Sequence, residues 1–251
     1  MLSSVNLKQS FMKRIFLFLV FSLVLLTSCR DFFGRRVRGN GKLSTETRTA
    51  ASFNGVKVSG AIDLYVRQDS SPSIKIEADE NLLKYIEIEN DGNMLVIHTK
   101  RGVNLRPTRS IRVYIGAPAF SRLEASGACD IFSENKISSP ETLNIDLSGA
   151  SDAKLEVNAP RVDVDVSGAG TVTLKGETRD FSVDGSGSTD IKCYGLLAEN
   201  TKVGISGAGS AEVFASVKLD VDVSGAADVR YKGNGTVSQR VSGAGSVKKT
   251  D

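Results

Sequence analysis

One tripeptide, Ser-Gly followed by a small residue, recurs through most of this 251-residue chain and constrains its fold more than any other feature. It occurs eight times, and from the second copy onward the copies start 22, 19, 19, 20, 18 and 18 residues apart. The pairs are Ser59 and Gly60, Ser126 and Gly127, Ser148 and Gly149, Ser167 and Gly168, Ser186 and Gly187, Ser206 and Gly207, Ser224 and Gly225, and Ser242 and Gly243. A period near twenty residues is typical of chains that stack one short structural unit upon another.

The residues on either side of each repeat alternate between apolar and other side chains, as β-strands do. Val164 and Val166 precede one Ser-Gly pair, and Val172 and Leu174 follow it. These apolar positions are two residues apart, whereas a helix would place them three and four apart. Because glycine permits a sharp bend, each Ser-Gly pair is expected to be a structural corner between two strands.

This pattern predicts an all-β fold, and specifically a right-handed parallel β-helix, a solenoid with coils of about 18–22 residues. Its regular part is expected over residues 121–251. Residues 51–120 are β-rich but break the period, because 67 residues separate Ser59 from Ser126. The turn sequence from Asn90 to Asn93 favours a hairpin there. Inserted irregular coils are the preferred interpretation of this part, and an antiparallel cap is the alternative.

The N-terminus has the composition of a targeting segment. Residues 1–28 are expected to be a lipoprotein signal peptide, with Met12 as an alternative start, because a short basic stretch precedes an apolar run over residues 15–26. That run is too short to span a bilayer. The sequence from Leu26 to Cys29 resembles a lipobox, in which Cys29 receives the lipid. An ordinary signal peptide followed by a chance cysteine is the alternative.

Acyl chains on Cys29 would hold the protein at a membrane without spanning it. Arg30, rather than aspartate, follows this cysteine, which favours the outer membrane as its destination in the cell envelope. Residues 29–50 are polar, basic and glycine-containing. They are expected to be a tether between the lipid and the folded part.

Charge excludes one class of partner. Removal of residues 1–28 takes away three of the 32 basic residues and no acidic one, which leaves 29 of each sign. A neutral mature chain gives no reason to expect nucleic acid as a partner.

The sequence predicts no catalytic residue and no cofactor. It contains no Gly-x-Ser-x-Gly, Walker or Cys-x-x-Cys motif. His98, the only histidine, alternates with the apolar Leu95 and Ile97, so it is expected to be a solvated strand residue rather than a base. The alternative is a carbohydrate-active β-helix enzyme, a polysaccharide lyase or glycoside hydrolase, that would pair Asp163 with Asp165 or Asp220 with Asp222. Minimal corners without long loops disfavour it.

Acidic side chains recur two residues before the corner serine. They are Glu124, Asp146, Asp165, Asp184 and Asp222. If the repeats stack in register, these carboxylates stand about 5 Å apart and repel one another. Asp146, Asp165 and Asp184 are therefore candidate ligands of a divalent cation, although a solvated charged face is the preferred interpretation.

A second row, four residues after the corner serine, begins with the pair Asp130 and Asp152 and then alternates aspartate with a hydroxyl residue. Asp190 is flanked by Thr171 and Ser210 in this row, and Asp228 by Ser210 and Ser246. A hydroxyl beside each carboxylate can donate a hydrogen bond to it, so the row is interpreted as structural.

Two cysteines remain beyond Cys29. Cys129 and Cys193 could form one disulfide in an oxidising compartment. Their places in the repeat, one in a turn and one at an inward position, favour buried free cysteines.

The repeated Val-Ser-Gly-Ala-Gly, as at residues 166–170, and the stretch from Phe53 to Leu64 carry a resemblance to a known family. Together with the lipoprotein signal, they resemble the autotransporter adhesins with a head GIN domain, over residues 53–247. The resemblance implies a β-helical envelope protein acting as an adhesin, and the family offers no catalytic residues to carry over.

The function expected from the sequence is a lipid-anchored binding or structural module of the cell envelope. Its expected partners are the membrane, through Cys29, and a glycan or protein ligand on a surface. The enzyme above is one alternative. A self-associating scaffold is another, because the last repeat, residues 241–247, has no obvious cap and could form a homodimer contact.

Overall fold

The structure is a computed structural model that describes residues 34–49 and 51–250. Its described residues form seventeen strands and one 3-10 helix, Leu83–Tyr85, with no α-helix. The strands are β1 Arg35–Arg38, β2 Leu43–Arg48, β3 Gly55–Gly60, β4 Ile62–Gln68, β5 Ser73–Asp79, β6 Ile86–Asp91, β7 Met94–Thr99, β8 Val103–Arg106, β9 Ile111–Ala117, β10 Arg122–Gly127, β11 Ile131–Ser133, β12 Ile137–Ser138, β13 Thr142–Gly149, β14 Ala153–Phe214, β15 Lys218–Lys232, β16 Thr236–Gly243 and β17 Ser246–Lys249. The all-β prediction is confirmed.

The predicted right-handed parallel β-helix is wrong, because fifteen of these strands form one large mixed sheet. Three of its strand pairs, β2 with β5, β5 with β9 and β6 with β7, are antiparallel. Antiparallel neighbours need only a short turn, such as the one at Gly92 between β6 and β7. The preference for inserted coils over antiparallel strands in residues 51–120 fails for the same reason.

The stacking of the corners in register is confirmed. Ser126 on β10 pairs with Ser59 on β3 on one side and with Ser148 on β13 on the other, and all of these strands are parallel. Ser224 on β15 likewise lies between Ser206 and Ser242. Each corner serine is therefore one strand spacing, about 4.8 Å, from the next.

The corner glycines are required by backbone geometry. Gly168 has a φ of 115°, and a β-carbon there would overlap the carbonyl oxygen of Gly149 in the neighbouring corner. Gly187 and Gly207 have positive φ values as well, and each would overlap the preceding corner in the same way. The predicted role of these residues as structural corners is thus supported both by conformation and by close packing.

The core is formed by the inward residues of the alternating strands. Val164, Val166, Val172 and Leu174 are all buried, as the period-2 pattern predicts. The outward residues between them stay in contact with solvent or form the rows described below. Burial of one apolar residue from every second position in each strand stabilises the whole stack.

The N-terminal strands correct the tether prediction for residues 29–50 over the part of that stretch that the structure describes. β2 pairs with β5, and β1 pairs with β8 in a separate two-stranded sheet. The buried Asp79 fixes the segment between β1 and β2, since its carboxylate accepts hydrogen bonds from the Gly41 N–H at 2.8 Å and from Thr108. The signal peptide and Cys29 lie outside the described residues.

The two remaining cysteines are buried and free, which confirms the preferred prediction. Burial raises the pKa of the Cys193 thiol to about 12, so this cysteine stays protonated and unreactive near neutral pH. Burial also raises the pKa of Cys129.

Candidate functional site: an acidic groove

A groove of about 640 Å³ runs across the outward face of the stacked strands, beside the corner serines. Two rows of polar side chains line it. The acidic row contains Glu124, Asp146, Asp165, Asp184 and Asp222, and the serine row contains Ser126, Ser148, Ser167, Ser186, Ser206 and Ser224. The "acidic groove" below means the surface formed by these two rows.

Strand register places the acidic row. Lys57 on β3 pairs with Glu124 on β10, which pairs with Asp146 on β13, which pairs with Asp165 on β14. At the far end Asp222 pairs with Arg240 on β16. The acidic ladder predicted from the repeat is confirmed, and a basic residue ends it on each side.

Ion pairs neutralise the first part of the row. Lys57 Nζ lies 2.8 Å from Glu124 Oε2. Arg122 reaches both Glu124, at 3.4 Å, and Asp146, at 3.8 Å. At the other end Arg240 Nη1 lies 3.3 Å from Asp222 Oδ2, although both side chains are largely exposed. Such exposed pairs contribute little to stability, but they reduce the local negative charge.

The middle of the row is different, because its carboxylates are exposed and unpaired. Among the described residues, Asp165 and Asp184 have no ion pair and accept no hydrogen bond on their side chains. The Asp184 carboxylate lies over Gly204, the one position in the row without a side chain. The groove therefore keeps two accessible acceptor groups at its centre.

Burial raises the pKa of Asp146 above its ordinary value. Arg122 opposes this shift, whereas Glu124 and Asp165 add to it by charge repulsion. Asp146 consequently takes up a proton at a higher pH than an isolated aspartate does, and the negative charge of the groove falls as the solution becomes acidic.

The predicted cation ligands Asp146, Asp165 and Asp184 thus lie in one row, but nothing in the described contacts draws their carboxylates together around an ion. The groove also contains no arrangement for nucleophilic catalysis, since no histidine or cysteine lines it. Asp163, the partner in the alternative carboxylate pair, is engaged by Arg161 at 2.8 Å. The other proposed pair, Asp220 with Asp222, is likewise divided between Lys218 and Arg240.

The second predicted row has the structural role expected of it. Ser210 Oγ donates to Asp190 Oδ1 at 2.7 Å, and Ser246 Oγ donates to Asp228 Oδ1 at 2.6 Å. These two carboxylates are satisfied within the protein, unlike Asp165 and Asp184 in the acidic groove.

A stack of aromatic rings on the adjoining face was not predicted. Tyr65 lies between Tyr114 and Phe132, with ring centroids 4.9 and 5.1 Å apart, and Lys75 Nζ lies 4.1 Å from the centre of the Tyr114 ring. Because the rings cover one another's faces, they offer mainly edges to solvent. No sequence pattern predicted this stack, because the three aromatic residues lie on strands that are far apart in sequence.

Comparison with known families matches residues 52–235 to the family described as "Putative auto-transporter adhesin, head GIN domain". The match covers most of the chain. The chain belongs to this family. The resemblance predicted from the repeated Val-Ser-Gly-Ala-Gly and from residues 53–64 is therefore confirmed.

Solved structures similar to this member of the adhesin family come from three species of bacteria. An adhesin structure from Bacteroides fragilis matches with a TM-score of 0.81 at 21% identity, covering 85% of this chain and 100% of that one. Adhesin structures from Parabacteroides distasonis and Parabacteroides merdae match with TM-scores of 0.72 and 0.68 at 27% and 25% identity, each covering 86% of this chain and 100% of its own. All three proteins are described as putative adhesins.

A comparison with curated proteins finds no significant match. Membership of an adhesin family favours an association with the cell envelope or surface. Within the described residues, the structure contains no helix that is long and apolar enough to cross a membrane.

Proposed function

We propose that this protein is a lipid-anchored adhesin of the cell envelope that binds a basic, extended polypeptide segment of a partner protein in its acidic groove, without catalysis. The observation that carries the proposal is the pair of exposed, unpaired carboxylates at the centre of the groove, Asp165 and Asp184. Lysine or arginine side chains are the groups that such carboxylates bind best.

The composition of the groove favours a polypeptide over a neutral glycan. Five carboxylates line it against two lysines, Lys57 and Lys202, so its net charge is negative. None of the lining residues is aromatic, and a sugar ring would therefore have no flat surface to stack upon. The serine hydroxyls can both donate and accept, which suits the N–H and C=O groups of an extended chain.

Removal of the two central charges is expected to weaken binding of a basic peptide about thirtyfold, because each of the two pairs formed in the groove contributes on the order of 1 kcal/mol. The change is Asp165→Asn together with Asp184→Asn. The probe is a fluorescent peptide of alternating lysine and serine, titrated in an anisotropy assay at low and high salt. We expect affinity to fall with salt, as it does for exposed charges.

The matched control removes two exposed glutamates elsewhere, Glu177→Gln together with Glu199→Gln, and should leave peptide binding unchanged. Equal weakening by the control would reduce the effect to net charge and contradict the groove. A glycan array on the same proteins provides the other test. Glycan binding that depends on Asp165 and Asp184, without peptide binding, would replace the polypeptide with a sugar ligand.

The lipid anchor makes its own prediction. Replacement of Cys29 by serine should abolish incorporation of labelled palmitate and move the protein from the membrane fraction to the soluble fraction, because a single cysteine would carry the acyl chains. The measurement is metabolic labelling followed by fractionation of cells that express the full chain. Cys193→Ser is the control. Because the Cys193 thiol is buried, it should carry no acyl chain, so this variant should keep its label and stay in the membrane fraction. Labelling that persists in the Cys29 variant would exclude this anchor.

A further inference from the structure

Three side chains that can bind metals meet on the outward face at the β6–β7 hairpin, apart from the acidic groove. Glu87, Glu89 and His98 each offer one ligand atom, and these three atoms all lie within 4.8 Å of one another. His98 is the only histidine in the chain. We propose that these three residues form a binding site for a divalent first-row transition metal ion of the Zn²⁺ type.

The hairpin sets this geometry. β6 and β7 are antiparallel, and Glu87 pairs directly with His98 across the ladder. Glu89 lies two residues further along β6 and therefore projects from the same face of the sheet as Glu87. Side chains that are directly opposite or diagonal in an antiparallel pair are close enough to share one ligand.

The imidazole ring is held in place by its surroundings. His98 Nδ1 lies 3.1 Å from the Thr99 carbonyl oxygen and 3.8 Å from Glu87 Oε2, and the side chain is 22% exposed. When Nδ1 carries the proton and donates to the carbonyl, the lone pair is on Nε2. Metal-binding histidines commonly have one ring nitrogen fixed by a carbonyl or carboxylate in this way.

The charges around the cluster favour the binding of a cation. The two glutamates converge although both are negative, and among the described residues the one lysine or arginine that pairs with either is Lys100, whose Nζ lies 4.0 Å from Glu87 Oε1. Glu89 has no ion pair or side-chain hydrogen bond among the described residues. A divalent ion would offset the repulsion between the carboxylates more fully than one partly exposed lysine.

The donor set decides the class of metal. One imidazole nitrogen and two carboxylate oxygens suit Zn²⁺ and its neighbours in the first transition row, whereas Ca²⁺ and Mg²⁺ prefer ligand sets made only of oxygen. Three protein ligands leave at least one coordination position for water or for a group from a partner molecule.

The site is separable from the proposed peptide groove. None of its three residues lines the groove. In the strand register, Val96 and then Lys57 lie between Glu89 and the first carboxylate of the acidic row, Glu124. Failure of one proposal therefore leaves the other intact.

The test is isothermal titration of the untagged full-length protein with ZnCl₂, beside titrations with CaCl₂ and MgCl₂. We expect one zinc ion per chain and weak or no response to the other two ions. His98→Ala and Glu89→Gln should each lower zinc affinity about tenfold or more, as loss of a ligand does. The groove variant Asp165→Asn with Asp184→Asn should bind zinc like the wild type.

Visible absorption of bound Co²⁺ is a second measurement, and it would not change if His98 served only to stabilise the fold. Co²⁺ bound through His98 should produce visible absorption bands that shift or vanish in His98→Ala, while thermal unfolding checks that the variant is folded. Zinc binding that is unchanged in both ligand variants would overturn the site. Binding of Ca²⁺ as tightly as Zn²⁺, or binding that disappears in the groove variant instead, would overturn it as well.

Discussion

Gly168→Ala is expected to destabilise the protein by about 3 kcal/mol or more, the largest effect that we predict for a single methyl group. Two costs combine at this corner. The φ of 115° is one that L-residues rarely adopt, and the new β-carbon would overlap the Gly149 carbonyl oxygen in the next corner. The backbone of neither corner can move without breaking the ladder that joins β13 to β14. Chemical denaturation with urea measures the change.

Gly92→Ala separates the two costs. Gly92 also has a positive φ, 58°, but a β-carbon there would meet nothing within 4 Å. We expect this variant to lose only about 1 kcal/mol, the conformational part. Similar losses at the two positions would show that the close packing of the corners is unimportant.

Asp79→Asn is expected to cost about 2–3 kcal/mol at neutral pH, because it disturbs a charged acceptor of several hydrogen bonds. Asp79 is 3% exposed, and its carboxylate accepts from the Thr108 backbone N–H at 2.8 Å, the Thr108 hydroxyl at 2.7 Å and the Gly41 N–H at 2.8 Å. An asparagine of the same shape would turn an NH₂ group towards at least one of these donors. Loss of this contact should also loosen the segment before β2.

The pH dependence follows from the direction of the shift. Burial raises the pKa of Asp79. The hydrogen bonds from Thr108 and Gly41, together with the charge of Arg109, lower the pKa by more than burial raises it, so the pKa of the folded state lies below the ordinary value. A depressed carboxyl pKa stabilises the fold above the unfolded value, about 3.9, and this stability disappears as the pH falls through the folded value.

The difference between wild type and Asp79→Asn, measured by urea unfolding, should therefore be full at pH 7 and shrink below about pH 4. Asp184→Asn, which removes an exposed and unpaired carboxylate, should show little difference at either pH. A gap between wild type and Asp79→Asn that stays constant down to acid pH would rule out the ionised carboxylate as its source.

The regular repeats were predictable because one pattern fixes both conformation and register. Ser-Gly with apolar residues on both sides requires a bend between two strands, and stacking identical corners leaves Ser148 opposite Ser126. The direction of the N-terminal strands was not predictable in this way. Apolar alternation in β5 and β6 is the same whether a strand pairs parallel or antiparallel, so periodicity alone could not exclude the mixed sheet.

The tether prediction was wrong because β2 consists mostly of polar residues. β2 contains no inward apolar residue that would identify it, since Glu46 and Arg48 face Ile76 and Ile74 of β5 in the register. Arg48 donates to the Leu83 and Ile86 carbonyl oxygens and pairs with Glu46 at 2.8 Å, so charged groups cover this end of the core. An end strand made of polar and charged residues has the composition of a loop, so its sequence pattern does not predict a strand.

The acidic row was visible in the sequence, but its charge balance was not. Lys57 reaches Glu124 only through the pairing of β3 with β10, which joins repeats 67 residues apart, and Arg122 reaches Asp146 only through the pairing of β10 with β13. The metal-binding cluster was accessible in principle. The turn signal from Asn90 to Asn93 predicted a hairpin here, and its two-residue loop at Gly92 and Asn93 sets Glu87 opposite His98, a partner that the interpretation of the histidine as solvated overlooked.

The alternation of aspartate with hydroxyl residues limits how the chain can change its length. Asp190 and Asp228 each have a serine as their donor in the next repeat. Loss of the repeat that carries Ser210 would set Asp190 directly against Asp228, whereas loss or gain of two adjacent repeats would preserve every donor. The unit of duplication or deletion that this row tolerates is therefore the pair of repeats, and lengthening the acidic groove by evolution or by engineering is easiest in steps of two.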